Sequence, residues 1–181
     1  MQTIREVAGQ ELVWVQPARM KQNFELRAGD EVVATLRWER SSLATGETSE
    51  QTWTFKREGF WHPRITLRMP GSNDNMALFN PGWTGGGTLE FPQGRTLHFG
   101  AANFWRSEWV WAETKDTPLV RFKSRQGLLK TEGQVEIDPS AAESPDLALL
   151  VVLGWYLLIL FARDASAQAG ATAAVVASSG A

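Results

Sequence analysis

LALLVVLGWYLLILFA, residues 147–162, holds no charged side chain and no polar stripe. A helix that is apolar on every side has to be enclosed, either by protein or by lipid. Pro145 and Asp146 suit the first turn of such a helix, Ser144 can cap it, and Arg163 suits its negative pole. Sixteen residues make a helix of about 24 Å, short of a hydrocarbon core of about 30 Å. Trp155 and Tyr156 fall at its middle, where a membrane span carries plain aliphatics, and no basic cluster flanks it. These details favour a helix enclosed by its own protein. A tail anchor spanning the bilayer is the alternative.

The residues upstream supply the enclosure. Period-two alternation recurs from about residue 11 to 138. Val32, Ala34, Leu36 and Trp38 share one face of a strand. So do Trp53 and Phe55, then Ile65, Leu67 and Met69, then Leu89 and Phe91. Leu97 with Phe99, Trp109 with Trp111, Val120 with Phe122, and Val135 with Ile137 repeat the pattern. Phe24 with Leu26 and the run from Leu12 to Val15 add two more strands. The separators carry turn chemistry: Ala28-Gly29-Asp30, Thr45-Gly46-Glu47, Pro70-Gly71-Ser72-Asn73, Asn80-Pro81-Gly82, Gln93-Gly94 and Lys115-Asp116. Ten to twelve short antiparallel strands with one dry face need a cover for that face. A closed barrel threaded by helix 147–162 satisfies the helix and the strands together. The expected organisation is an N-terminal extension over 1–10, a barrel domain over 11–164, and a tail over 165–181. The tail contains Ala, Ser, Gly, Thr, Gln and Val alone, which predicts disorder or at most a weak Ala-rich helix.

Composition narrows the function classes. The chain has 181 residues, a formal net charge of -2, no cysteine, two histidines, nine Trp, nine Phe and one Tyr. The missing cysteines exclude a disulfide scaffold, thiol catalysis and Cys-based metal sites. Near-neutral charge argues against nucleic acid as a partner. The start MQTIREVAGQ has no apolar core of a secretory leader, so a cytoplasmic protein is expected, or a membrane one if the helix anchors it. Nine Trp side chains need apolar places, each with an outlet for its indole N–H.

The segments GFWHPRITLRM (59–69), NPGWTGGGTLEF (80–91), ANFWRSEWVW (102–111), RQGLLKTEGQVEI (125–137) and the helix 147–162 together resemble the tubby C-terminal-like superfamily. Its relatives include the LURP-one-related proteins and the phospholipid scramblases, and the likeness is to a prokaryotic branch. The resemblance covers about residues 10–164. It implies a closed barrel of about twelve strands around a central hydrophobic C-terminal helix, and a non-enzymatic module acting on anionic lipid or on a partner at a membrane surface. The chain departs from scramblases in lacking a proline-rich N-terminal arm and a cysteine cluster. Asp138, Glu143, Asp146 and Asp164 do not form the tight acidic spacing of a calcium loop.

No catalytic constellation stands out. Gly85-Gly86-Gly87 lacks the Lys-Ser/Thr of a P-loop and runs into a strand, so it predicts a hairpin turn with positive φ. His62 and His98 are isolated, Ser107 sits in no nucleophile elbow, and Glu136 with Asp138 reads as a solvated strand face. Arg121, Lys123, Arg125 and Lys130 lie in a stretch without acids between Asp116 and Glu132, a candidate reader of anionic headgroups. Trp61, Trp83 and Trp105 are the Trp residues that the strand pattern leaves without an inward address. The expected protein is a monomer that binds no metal or cofactor; an enzyme with a site on the barrel rim is a further alternative.

Overall fold

The computed structural model describes residues 1–17, 22–83, 85–124 and 132–178, with backbone alone over 171–178. Twelve strands form one closed antiparallel barrel. They are β1 (Leu12–Val15), β2 (Asn23–Ala28), β3 (Glu31–Arg40), β4 (Leu43–Thr48), β5 (Thr52–Glu58) and β6 (Arg64–Arg68), then β7 (Ala77–Pro81), β8 (Gly87–Glu90), β9 (Thr96–Ala101), β10 (Glu108–Thr114), β11 (Thr117–Ser124) and β12 (Gly133–Ile137). Each strand pairs with its neighbours in the chain, and β1 pairs with β12 to close the ring, Leu12 opposite Val135 and Trp14 opposite Gly133. A short 3-10 turn, Pro139–Ala141, follows β12. Asp138 caps it, and its carboxylate is held below the usual aspartate range by hydrogen bonds from the Ser140 hydroxyl and N–H. The helix α1 (Leu147–Ser178) then runs through the barrel.

The helix is the core. Leu147, Leu149 to Leu153, Trp155 to Leu157 and Leu160 are all buried, and the inward strand residues close around them. Burying each of these large apolar side chains contributes about 1.5–3 kcal/mol before ordering costs. Aromatic rings fill the space between helix and wall. Trp14 stacks parallel on Trp155 at 5.8 Å, Trp38 stacks on Tyr156 at 4.9 Å, and Phe99 packs against Trp109, Trp111 and Phe122. Small residues set the closest approaches. A Cβ on Gly154 would lie 2.3 Å from the Phe122 ring, one on Gly133 would lie 2.4 Å from the Trp155 ring, and one on Gly46 would lie 2.5 Å from Val152.

These approaches correct the sequence reading. Thr45-Gly46-Glu47 is no turn: Gly46 lies inside β4, where its missing side chain admits the helix. The reversal comes earlier, at Ser41-Ser42. Asn80 and Pro81 likewise end β7 instead of starting a turn, which begins at Gly82. Val33, not Val32, is the fully buried residue of its pair, because a register shift between Leu26 and Arg27 on β2 puts an extra β3 residue opposite them. Met69 falls beyond β6 and is exposed. Helix α1 continues into the Ala-rich segment as far as Ser178, where the sequence allowed a weak Ala-rich helix as the alternative to disorder. Ile4 and Val7 of the N-terminal extension are fully buried, and Arg5 reaches the Ser144 carbonyl and the Glu143 carboxylate, so residues 1–10 close the end where the helix enters.

Not every Trp found an outlet for its N–H. Trp38 donates to the Ser41 carbonyl and Trp109 to the Arg106 carbonyl. Trp14, Trp111 and Trp155 have no partner among the described residues. They sit against a helix and a wall whose backbone groups are already committed to their own ladders.

Candidate functional site

An up-and-down barrel puts alternate connections on the same end. Here the strand ends joined by the β1–β2, β3–β4, β5–β6, β7–β8, β9–β10 and β11–β12 connections lie at one rim, and the helix leaves through it. The exit is fastened. The Tyr156 hydroxyl donates to the Ser42 carbonyl, Arg163 donates to the Gln22 side-chain oxygen at 2.7 Å, and Arg57 pairs with Asp164 at 2.6 Å. Burial lowers the Arg163 pKa and raises that of Tyr156, with Arg57 and Arg163 opposing the latter shift.

Three consecutive loops of this rim hold their aromatic side chains in solvent. Phe60 and Trp61 are 88% and 85% exposed, Trp83 106%, and Phe104 and Trp105 90% and 82%. Their frames are ordered. In loop 102–107 the Asn103 side chain accepts from the Ser107 N–H and donates to the Ser107 hydroxyl, and the Arg106 N–H donates to the Asn103 carbonyl. This arrangement carries Arg106 into the left-handed region, φ 53°, an unusual conformation for a side-chain-bearing residue that stores strain. In loop 82–86 the Gly82 N–H donates to the Gly86 carbonyl. A Cβ on Gly86 would lie 2.1 Å from the Phe99 carbonyl oxygen, so the glycines serve a tight turn with positive φ, as their sequence suggests. In loop 59–63 Gly59 takes φ 94° and Phe60 packs edge-on against Trp61 at 5.3 Å.

A pocket opens beside the helix at the same rim. Its volume is about 120 Å³. Trp155, Leu158, Ile159 and Ala162 of the helix form one side, Trp109 and Phe122 the other, and Trp105, Arg106, Lys123 and Glu132 stand around the opening. The wall is predominantly apolar.

The basic stretch expected to read anions is largely spoken for. Arg121 pairs with Glu108 on β10 at 3.0 Å, and Lys123 pairs with Glu136 on β12 at 2.7 Å. The partners come from neighbouring strands, so a scan along the chain does not reveal them. Arg125 and Lys130 lie outside the described residues. Charge is nevertheless unevenly placed along the barrel axis. Arg40, Arg57, Arg64, Arg106, Lys123 and Arg163 lie at the helix-exit rim beside Glu39, Glu58, Glu108, Glu132 and Asp164, whereas Asp30, Glu50, Asp74, Asp116, Asp138 and Glu143 outnumber Arg5, Arg95 and Lys115 in the connections of the opposite end. Of the acids near the exit rim, Asp164 pairs with Arg57, Glu58 with Lys56 and Arg68, and Glu108 with Arg121.

Two of the three isolated polar candidates have structural partners. Ser107 belongs to the Asn103 turn, His98 approaches Thr88 at 3.4 Å on the outer face, and His62 lies exposed in its loop. Among the described residues, no group of three or more His, Asp or Glu side chains gathers in a way that could hold a metal ion. Searches of family models, curated proteins and solved structures find no match for the chain.

Trp61, Trp83 and Trp105 were visible in sequence because no strand face claimed them. Phe60 and Phe104 were missed, although each precedes one of these Trp residues in a loop. The pocket had no sequence signal: Leu158 and Ile159 read like every other residue of the helix.

Proposed function

We propose that this barrel is a non-enzymatic module that seats its helix-exit rim on an anionic membrane surface. The observation that carries this reading is the row of five solvent-exposed aromatic side chains on three neighbouring loops of one rim. A soluble domain rarely leaves such a cluster in water without an occupant for it. Trp in particular favours the boundary between headgroups and acyl chains, where its ring is dry and its N–H is wet. Arg40 and Arg64 of the same rim, which pair with no carboxylate among the described residues, each add about 1 kcal/mol near an anionic surface, and the acid-rich end faces away. The architectural resemblance to tubby-like and scramblase-like barrels points in the same direction.

Flotation tests it. The protein is expected to float with vesicles of phosphatidylcholine and phosphatidylserine, less with phosphatidylcholine alone, and to be released as salt rises. The combined variant Trp61→Ala, Trp83→Ala, Trp105→Ala is expected to lose flotation while keeping its melting midpoint, since all three side chains lie outside the core. Equal flotation on neutral and anionic vesicles, or undiminished flotation of the variant, would overturn the reading.

A second reading draws on the helix itself. Leu147–Gly170 is long and apolar enough to cross a membrane. Most of its apolar stretch is buried inside the barrel, and the Tyr156–Ser42 bond fixes it there, which favours docking over spanning. Extraction at alkaline carbonate separates the two: a docked protein is released, a spanning one stays with the lipid.

A further inference from the structure

The geometry points to the pocket between α1 and the β10–β11 wall as a binding site for the single apolar chain of an anionic amphiphile. Interiors normally leave no void much larger than a water molecule. The pocket, open at the rim, holds about 120 Å³, near the roughly 150 Å³ cavity that takes up benzene, which is room for the inner end of an alkyl chain whose remainder lies along the opening. It is also where the helix lacks a full cover. Leu158 and Ile159 stay partly exposed while Leu157 and Leu160, their neighbours in the chain, are buried. Trp155, Leu158, Ile159 and Ala162 fall on one stripe of α1 at the spacing i, i+3, i+4, i+7. They form an apolar floor running from the interior toward the rim, with the Phe122 and Trp109 rings facing it.

The opening selects the head. Arg106, Lys123 and Glu132 border it. Lys123 keeps its 2.7 Å pair with Glu136 on the outer face, so an incoming carboxylate or phosphate adds a second partner to a cation that is already placed. Trp105 joins the two features: its ring is both one of the exposed rim aromatics and part of the pocket's edge. A chain leaving a membrane under the seated rim would enter past it. The proposal rests on the membrane reading for how the ligand arrives; uptake of a dissolved probe does not need that step.

Calorimetric titration with dodecanoate below its micelle concentration is the direct test, with dodecyltrimethylammonium as the same chain under the opposite charge. One equivalent of dodecanoate is expected to bind, at least tenfold tighter than the cationic surfactant. Ile159→Phe and Ala162→Leu each fill the cavity and should weaken dodecanoate at least tenfold; Ala162 is half-buried near the rim, so its variant tests the site even where Ile159→Phe disturbs folding. Lys123→Gln should narrow the difference between the two surfactants. Absence of saturable uptake, equal affinity for both head charges, or wild-type uptake by a folded cavity-filled variant would overturn the proposal. Flotation measured on the same variants keeps the two readings apart. The cavity-filled proteins should still float, and Trp61→Ala with Trp83→Ala should bind dodecanoate normally. Dodecanoate uptake without flotation sinks the docking reading alone, and flotation without uptake sinks the pocket alone.

Discussion

The Tyr156 hydroxyl donates to the main-chain carbonyl of Ser42 at 2.7 Å, which ties the buried middle of the helix to the turn between β3 and β4. Trp38 lies flat against Tyr156, and the Arg163 guanidinium lies 3.9 Å over the other aromatic partner of this stack, Trp38. Tyr156 and Arg163 are seven residues apart, two turns on one helix face. The turn at Ser41-Ser42 therefore receives hydrogen bonds from both, and from the Trp38 indole.

Tyr156→Phe keeps the ring and removes the donor, leaving a buried carbonyl unpaired. The expected cost is about 1–3 kcal/mol, read as a lower urea midpoint with an unchanged slope. Arg163→Ala loses the partly buried cation–π contact with Trp38 together with the hydrogen bonds to Gln22 and Ser41, and should cost about 1–2 kcal/mol. A cost below about 0.5 kcal/mol for Tyr156→Phe would show that the bond to Ser42 does not hold the helix.

Tyr156 is the one tyrosine in the chain, so phenolate absorbance reports it alone. Burial raises its pKa in the folded protein. The unfolded value is about 10. A raised folded pKa means the associated stability is fully present below about pH 10 and is lost as pH rises above it. Phenolate should therefore appear together with loss of structure by circular dichroism. A phenolate signal near pH 10 in a still-folded protein would show that the hydroxyl reaches water.

Gly154→Ala sets two effects against each other. Alanine in a helix interior gains about 1 kcal/mol over glycine. At this position the added Cβ would meet the buried Phe122 ring at 2.3 Å, and overpacking costs about 1–3 kcal/mol. Both faces of the contact are enclosed, so net destabilisation is expected in a thermal melt. A raised midpoint would mean that the Phe122 side has room to give.

The barrel was legible because two periodicities met in one chain: alternation on the strands and unbroken apolarity in residues 147–162. Ten strands announced themselves through pairs such as Trp109 and Trp111. β4 and β7 did not, since Gly46 and Pro81 carry turn chemistry while serving inside a strand and at a strand end. Gly46 is explained by Val152, more than a hundred residues away, and no local pattern contains that contact. The same limit applied to the basic stretch. Arg121 and Lys123 look unopposed along the chain and are neutralised across it by Glu108 and Glu136. The exposed aromatics were half visible, as residues without an inward address, and the pocket was invisible because it depends on where a curved wall fails to follow a helix.

The core of this barrel is synthesised after its wall. β1 must wait for β12 to close the ring, and the helix that fills the ring follows β12 in the chain. Strands emerging first have no dry surface to settle on, so folding is deferred until the last apolar segment is free, and long-range closure makes the search slow. During that interval residues 147–162 are an unsheltered apolar segment, so ring closure has to shelter it before it meets another apolar surface.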